Sequence, residues 1–113
     1  MTNFIKAMLK EGYNFKNVKS GGRIYNHIPT KSGYSLSIQC SSFHYCEPNK
    51  LIAIQKYKTY EVAIFKEGNF IQPSLDSFKY NMNDFDCGGV YGYVPKHIVE
   101  ELYNYLNKED QND

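Results

Sequence analysis

The residues with the clearest chemical potential are two of the chain's three cysteines and one of its three histidines, which lie within Cys40-x3-His44-x-Cys46. Thiolate and imidazole groups are preferred zinc ligands, and a structural zinc site needs four such donors around one point. On an extended strand, His44 and Cys46 would point to the same face, about 6.8 Å apart along the chain. Ser41 and Ser42 would then have to turn the chain to bring Cys40 back toward them.

The fourth ligand has to come from a distant segment, and Cys87 is the candidate. Gly88 and Gly89 follow it and give the backbone freedom to approach the other donors. The four residues predict a closed Cys3His zinc site of the structural type, formed by Cys40, His44, Cys46 and Cys87. Such a site would stabilise a small domain rich in loops.

Packed thiols are a second interpretation of the same residues. Reduced cysteine behaves as a small hydrophobic side chain and is often buried. Cys40 falls on the apolar face of a predicted strand, and His44 can simply hydrogen-bond a backbone group. An odd number of cysteines cannot close completely into pairs, so a disulfide framework is disfavoured.

A cysteine nucleophile with a histidine base is a third interpretation, with Cys46 and His44 or with Cys87 and His97. Catalysis would also need an orienting group, for which Asp84 and Asp86 are the candidates, and oxyanion donors such as the amides of the Gly88-Gly89 pair. Nothing in the spacing forces these residues together. We therefore predict a protein that is not an enzyme.

Aromatic residues are abundant, with eleven tyrosines and seven phenylalanines. Phe43 and Tyr45 flank the histidine, while Tyr91 and Tyr93 lie two apart in a predicted strand and so share one of its faces. Exposed aromatic rings near lysines can stack on nucleic-acid bases. Burial preferences favour a position in the core for these four rings.

Hydrophobic periodicity predicts the elements that hold these residues. A helix is predicted over residues 3–11, with Thr2 as its cap and with Phe4, Ile5, Met8 and Leu9 on one stripe. Strands are predicted over residues 33–41 and 89–94, a short edge strand over 23–28, and a hairpin over 60–71 with its turn at 66–69. A closing helix begins at Pro95, and its inward stripe consists of Ile98, Val99, Leu102 and Leu106.

Together these elements predict an α+β fold, in which a small antiparallel sheet packs with an N-terminal and a C-terminal helix. Residues 1–107 are predicted to form one domain, and residues 108–113 a disordered acidic tail. Residues 13–32 are too polar and too rich in glycine to predict more than a loop around the short edge strand.

Charge is distributed unevenly along the chain. Residues 1–58 carry nine lysines and arginines against two acids, and residues 59–113 carry four lysines against ten acids. The net charges of +7 and −6 predict a dipolar surface, unless the two halves interleave in the fold. Lys6, Lys10 and Glu11 interrupt any signal-peptide core, and no apolar run approaches the about 20 residues of a membrane helix. We expect a cytoplasmic protein.

Two stretches, YSLSIQCSSFHYCEP and VYGYVPKHIVEELYNYL, resemble small accessory proteins of phages and mobile elements of low-GC Gram-positive bacteria. Within that group the chain is most similar in kind to the anti-CRISPR inhibitors of Cas9. The resemblance implies stoichiometric binding to a host defence protein, Cas9 or its guide RNA complex, in the cytoplasm of the host cell. Charge complementarity would make the acidic half the contact surface.

Two alternatives from other functional classes stay open. One is a sponge that sequesters a nucleotide immune signal, with Lys19, Arg23 and neighbouring tyrosines forming its pocket. The other is a cysteine-dependent enzyme. A tight nucleotide ligand would raise the melting temperature by mass action, whereas a catalytic cysteine would react quickly with an alkylating agent.

Overall fold

The computed structural model of the chain describes residues 1–108. The predicted tail therefore lies outside the described residues except for Lys108. Two α-helices and eight β-strands follow one another in the order α1 (Asn3–Glu11), β1 (Tyr13–Asn17), β2 (Gly22–Tyr25), β3 (Ile28–Pro29), β4 (Tyr34–Gln39), β5 (Thr59–Lys66), β6 (Asn69–Ile71), β7 (Asp86–Cys87), β8 (Val90–Pro95) and α2 (Lys96–Leu106). Short 3-10 helices lie at Ile54–Lys56 and Met82–Phe85.

Six strands form one antiparallel sheet in the order β3-β4-β5-β8-β7, with β6 paired to the end of β5. Strands β4 and β5 pair along their whole length, from Tyr34 opposite Lys66 to Gln39 opposite Glu61. Strands β3 and β4 come from the basic half of the chain and the other four strands from the acidic half. The two halves are thus not interleaved within this sheet.

The two helices cover one face of the sheet. Alternate strand residues such as Leu36, Ile38 and Val62 are fully buried in one core with the helix residues. The ring of Phe4 on α1 packs edge-on against that of Tyr60, with 5.2 Å between their centroids. The predicted stripe of α2 is buried as expected, and the α+β fold with its N-terminal and C-terminal helices is confirmed.

The start of α1 differs from its prediction. The Thr2 side chain makes no capping hydrogen bond. Instead, the carboxylate of Glu100 on α2 accepts hydrogen bonds from the backbone N–H groups of Asn3 and Phe4, both at 3.0 Å. A carboxylate at this position satisfies the free N–H groups and interacts favourably with the helix dipole.

The prediction of Leu9 on the buried stripe is also wrong, since its side chain is 50% exposed.

Strands β1 and β2 form a separate two-stranded hairpin within the segment predicted as largely loop. The hairpin is joined to the large sheet by the side chain of Gln39, which accepts a hydrogen bond from the Tyr25 N–H at 2.8 Å and donates one to the Tyr25 carbonyl at 2.9 Å. A side-chain amide here substitutes for the backbone pairing of a neighbouring strand.

Between residues 1 and 108, no helix has both the length and the apolar character needed to cross a bilayer.

Candidate functional site

The segment from Cys40 to Asn49, which we call the aromatic loop, leaves the end of β4 and turns at once. The Ser41-Ser42 pair makes the predicted turn, and the His44 N–H donates to the Ser41 carbonyl at 3.2 Å. Beyond this turn the chain is not an extended strand, so the predicted strand spacing of His44 and Cys46 does not apply.

Hydrogen bonds within the aromatic loop centre on Ser41, which is fully buried. The Ser41 hydroxyl accepts from the Phe43 N–H at 3.1 Å and lies 2.8 Å from Nδ1 of His44. The Ser41 carbonyl accepts from the Cys46 thiol at 3.3 Å, and the Asn49 amide donates to the His44 carbonyl at 2.7 Å. These bonds hold the loop in one conformation through its own backbone and side chains.

Cys40, Cys46 and Cys87, three of the four predicted zinc ligands, make different contacts. The Cys40 thiol lies 3.7 Å from Nη2 of Arg23, and the Cys46 thiol donates to backbone carbonyls. Cys87 lies in the β7–β8 hairpin, paired with Val90. Among residues 1–108, no three His, Cys, Asp or Glu side chains are grouped so that they would hold one metal ion. The zinc site stays a prediction.

Arg23 is only 6% exposed and points into the core rather than toward solvent. Its Nη2 donates to the Cys40 carbonyl at 3.1 Å and lies 3.4 Å from the Tyr57 hydroxyl. Burial raises the pKa of the Cys40 thiol to about 12, although the neighbouring guanidinium acts to lower it. Arg23 thus supports the loop from inside the core, and the nucleotide pocket of Lys19, Arg23 and neighbouring tyrosines stays a prediction.

The proposed nucleophile–base pairs are engaged with other groups. Cys46 donates to the Ser41 carbonyl, while His44 contacts the Ser41 hydroxyl. Burial and the charge of Arg23 lower the pKa of His44 below its usual value. His97 packs against the ring of Tyr80, with 6.1 Å between the ring centroids.

The aromatic loop presents two rings to solvent, and each has an aromatic neighbour on another element. Phe43 stacks on Phe15 of β1, with 6.0 Å between centroids and 25° between planes. Tyr45 packs against Tyr93 of β8 at 5.9 Å. The side chains of Phe15, Phe43, Tyr45 and Tyr93 are 39%, 51%, 45% and 48% exposed. We refer to these four residues as the aromatic surface.

Two glycines allow this close packing because neither carries a Cβ atom. A Cβ atom on Gly22 would lie 2.2 Å from the ring of Phe43. A Cβ atom on Gly92 would lie 3.0 Å from the Cβ atoms of both Tyr45 and Cys87. Gly92 therefore lies at the point where the aromatic loop and the β7–β8 hairpin approach each other.

Tyr93 has a backbone φ of 53°, in the left-handed region that tyrosine seldom adopts. It lies in a β-bulge, because Val62 pairs with Tyr91 and Tyr60 with Val94, so that the register shifts in between. The Tyr93 N–H donates to the Tyr45 carbonyl at 3.0 Å, and the Tyr45 N–H donates to Glu61 Oε1 at 3.1 Å. Strain of this kind is frequent at functional positions.

The sequence predicts that the rings of Phe43, Tyr45, Tyr91 and Tyr93 lie in the core, and this prediction is confirmed for one of them. Tyr91 is buried, but Phe43, Tyr45 and Tyr93 are exposed. Phe15 lies in the part of residues 13–32 that the sequence predicts as loop, outside the short edge strand predicted over residues 23–28. The available signal was the pair of apolar segments around Tyr13–Phe15 and Ile24–Tyr25, separated by the Gly21-Gly22 turn.

Comparison of the chain with protein-family models, with curated proteins and with solved structures finds no match.

Proposed function

We propose that this protein acts by stoichiometric binding to another protein, and that the aromatic surface, rather than the acidic half of the chain, forms the centre of the contact. The observation that carries the proposal is the aromatic surface itself. Four half-exposed rings from three separate parts of the chain lie against one another in pairs. Scattered exposed apolar residues are ordinary, but contiguous ones are typical of interaction sites.

The order of the aromatic loop supports this function on energetic grounds. Association costs free energy for each side chain that has to be immobilised, and aromatic rings with few rotatable bonds reduce that cost. The backbone at Phe43 and Tyr45 is already held by hydrogen bonds from the two N–H groups to the Ser41 hydroxyl and to the Glu61 carboxylate. The strained backbone of Tyr93 adds a ring that a relaxed strand would place elsewhere.

The partner we propose is a host defence protein, with Cas9 or its guide RNA complex as the first candidate, because the sequence resembles the anti-CRISPR inhibitors. A cytoplasmic location in the host cell belongs to the same proposal. In a protein–protein contact, a few aromatic residues contribute most of the binding energy. We therefore expect removal of two rings from the aromatic surface to weaken the affinity strongly.

The test is a binding titration of the purified protein against Cas9, with and without guide RNA. We expect a one-to-one complex, and at least a tenfold loss of affinity for Phe43→Ala combined with Tyr45→Ala, about 1.4 kcal/mol. Leu9→Ala is the matched control, since Leu9 is similarly exposed but lies on α1. Absence of a complex at micromolar concentration rejects Cas9 as the partner. An equal loss for Leu9→Ala rejects the aromatic surface as the contact.

A further inference from the structure

Within residues 1–108, Arg23 is the one buried side chain that carries a formal charge. The groups around its guanidinium are neutral. Nη2 donates to the Cys40 carbonyl and lies near the Cys40 thiol and the Tyr57 hydroxyl. The guanidinium also lies over the ring of Tyr25, 5.0 Å from its centroid. A buried charge without a carboxylate is unfavourable, so the fold contains Arg23 at a cost in stability.

Hydrogen bonds do not fully offset this cost. Nε of Arg23 is buried and has no hydrogen-bond partner among residues 1–108. In the described part of the chain, Arg23 also forms no ion pair. A methionine side chain is of similar length and uncharged, so it would fill much of the same space without a buried charge. Stability alone therefore favours an apolar residue at this position.

The position of Arg23 relative to the aromatic loop provides a different reason for its presence. Cys40 is the first residue of that loop, and Lys50 directly follows its last residue. The Tyr57 hydroxyl donates to the Lys50 carbonyl at 2.6 Å and accepts from the Ile52 N–H at 3.0 Å. Because Nη2 of Arg23 contacts both the Cys40 carbonyl and that hydroxyl, one guanidinium joins the two ends of the loop.

Arg23 also belongs to the β1–β2 hairpin, which contributes one ring to the aromatic surface. Arg23 directly follows Gly22, against which the ring of Phe43 lies. Across the hairpin it pairs with Lys16, the neighbour of Phe15. The hydrogen bond from Arg23 to the start of the loop therefore fixes the loop relative to the hairpin that carries Phe15.

We propose that Arg23 is a positioning residue for the aromatic surface, and that Arg23 and Tyr57 together hold the aromatic loop closed at both ends. We call these two residues the loop clamp. The loop clamp lowers the stability of the fold and keeps the loop in the conformation that presents Phe43 and Tyr45. This inference rests on the proposed function, because a partner binds only the fraction of molecules in the competent conformation.

The first experiment compares Arg23→Met with the unchanged protein, without any partner. Hydrogen exchange followed by NMR distinguishes local opening of the loop, reported by the Tyr45 and Cys46 amides, from opening of the core, reported by the amides of β4 and β5. We expect the loop amides to lose at least about tenfold in protection, and the NMR contacts between the Phe15 and Phe43 rings to weaken. The protection of the core amides and the midpoint of urea unfolding should stay equal or rise.

Lys16→Met is the matched control, since Lys16 pairs with Arg23 across the hairpin but is exposed. It removes one positive charge from the same hairpin and should leave the protection of the loop unchanged. Equal losses of protection in the loop and in the core of Arg23→Met would assign Arg23 a general structural role and overturn the proposal. Unchanged loop protection in Arg23→Met, or the same loss in Lys16→Met, would overturn it as well.

A double-mutant cycle tests whether Arg23 and Tyr57 act together. Tyr57→Phe removes the hydroxyl that bonds the Lys50 carbonyl, and it should also lower the protection of the loop amides by about tenfold. The two changes combined should have little more effect than the larger single change, since either one opens the loop clamp. A combined loss of about a hundredfold, the product of two independent effects, would contradict the loop clamp.

The two proposals fail separately. Hydrogen exchange requires no partner protein, so failure of the loop clamp leaves the binding test of the aromatic surface standing. Lack of a complex with Cas9 rejects that partner, and the exchange experiment still decides the loop clamp. If Cas9 binds, Arg23→Met should weaken the affinity in proportion to the fraction of molecules that lose the contact between Phe15 and Phe43. Full affinity in a variant without that contact would overturn the positioning role.

Discussion

The phenyl ring of Phe43 lies directly against the backbone of Gly22, at a distance that leaves no room for a methyl group. This contact joins the aromatic loop to the β1–β2 hairpin and holds Phe43 in its stack on Phe15. The two contacting residues are 21 positions apart in the chain, so the arrangement depends on the tertiary fold.

Gly22→Ala is expected to displace the ring of Phe43 with little loss of stability. The obstructing atoms belong to the far end of a half-exposed side chain, which can rotate away, so we expect the free energy of unfolding to fall by about 1 kcal/mol or less. NMR contacts between the Phe15 and Phe43 rings should disappear. Adding Gly22→Ala to Phe43→Ala should cause no further change, and an additional loss there would contradict the contact.

Gly92→Ala should be the more costly of the two substitutions. The atoms that a methyl group would meet are the Cβ atoms of Tyr45 and Cys87, which cannot rotate away from their own backbones. The strands and the loop must therefore shift, at a cost of about 1–3 kcal/mol. Urea unfolding of both glycine variants measures the difference. If the Gly92→Ala variant is as stable as the Gly22→Ala variant, the aromatic loop does not pack against β8.

The three thiols should differ in reactivity. Cys40 and Cys46 are buried, and burial raises the pKa of both, whereas Cys87 is partly exposed. The thiolate is the reactive form, so the fold by itself predicts that alkylation reaches Cys87 first and the other two only on unfolding. Mass spectrometry of peptides after timed alkylation measures the order.

The zinc prediction can be decided in the same experiment. One zinc ion bound by Cys40, His44, Cys46 and Cys87 requires one equivalent of zinc per chain in protein purified without a histidine tag. It also requires that Cys87 be protected from alkylation until a chelator is added. If the purified protein contains no zinc and Cys87 reacts before a chelator is added, the zinc prediction is wrong.

His44 should make stability fall on acidification. Its pKa in the folded state lies below the unfolded value of 6.5, so the unfolded chain binds the proton more tightly. The contribution of neutral His44 to the free energy of unfolding is complete above pH 6.5 and decreases as the pH falls below that value. Urea unfolding across this range should show a shallower pH dependence for His44→Asn than for the unchanged protein. Identical slopes would mean that the imidazole is solvated in both states.

Much of the fold follows from the sequence because burial leaves a periodic signal. Strands β4 and β5 are each buried on one side, so Leu36 and Ile38 alternate with polar residues and Val62 and Ile64 with less buried ones. Helix α2 carries its apolar stripe at helical spacing for the same reason. Elements that hold the core are therefore the ones that sequence reasoning finds.

The candidate site leaves a weaker signal. All five residues of β1 are exposed, so no difference between an inner and an outer face marks the strand. A period of two places Tyr91 and Tyr93 on the same side, but the bulge and the left-handed backbone of Tyr93 separate them. Contacts such as Phe15 with Phe43 arise between distant segments, for which one sequence contains no local pattern.

The left-handed backbone of Tyr93 also has an evolutionary consequence. Glycine would adopt the same conformation without the steric cost, which is of order 1–3 kcal/mol for other residues. A mutation to glycine at position 93 should therefore be accepted readily in a lineage selected for thermal robustness alone. Persistence of a bulky ring at that position would indicate that natural selection acts on what the ring touches.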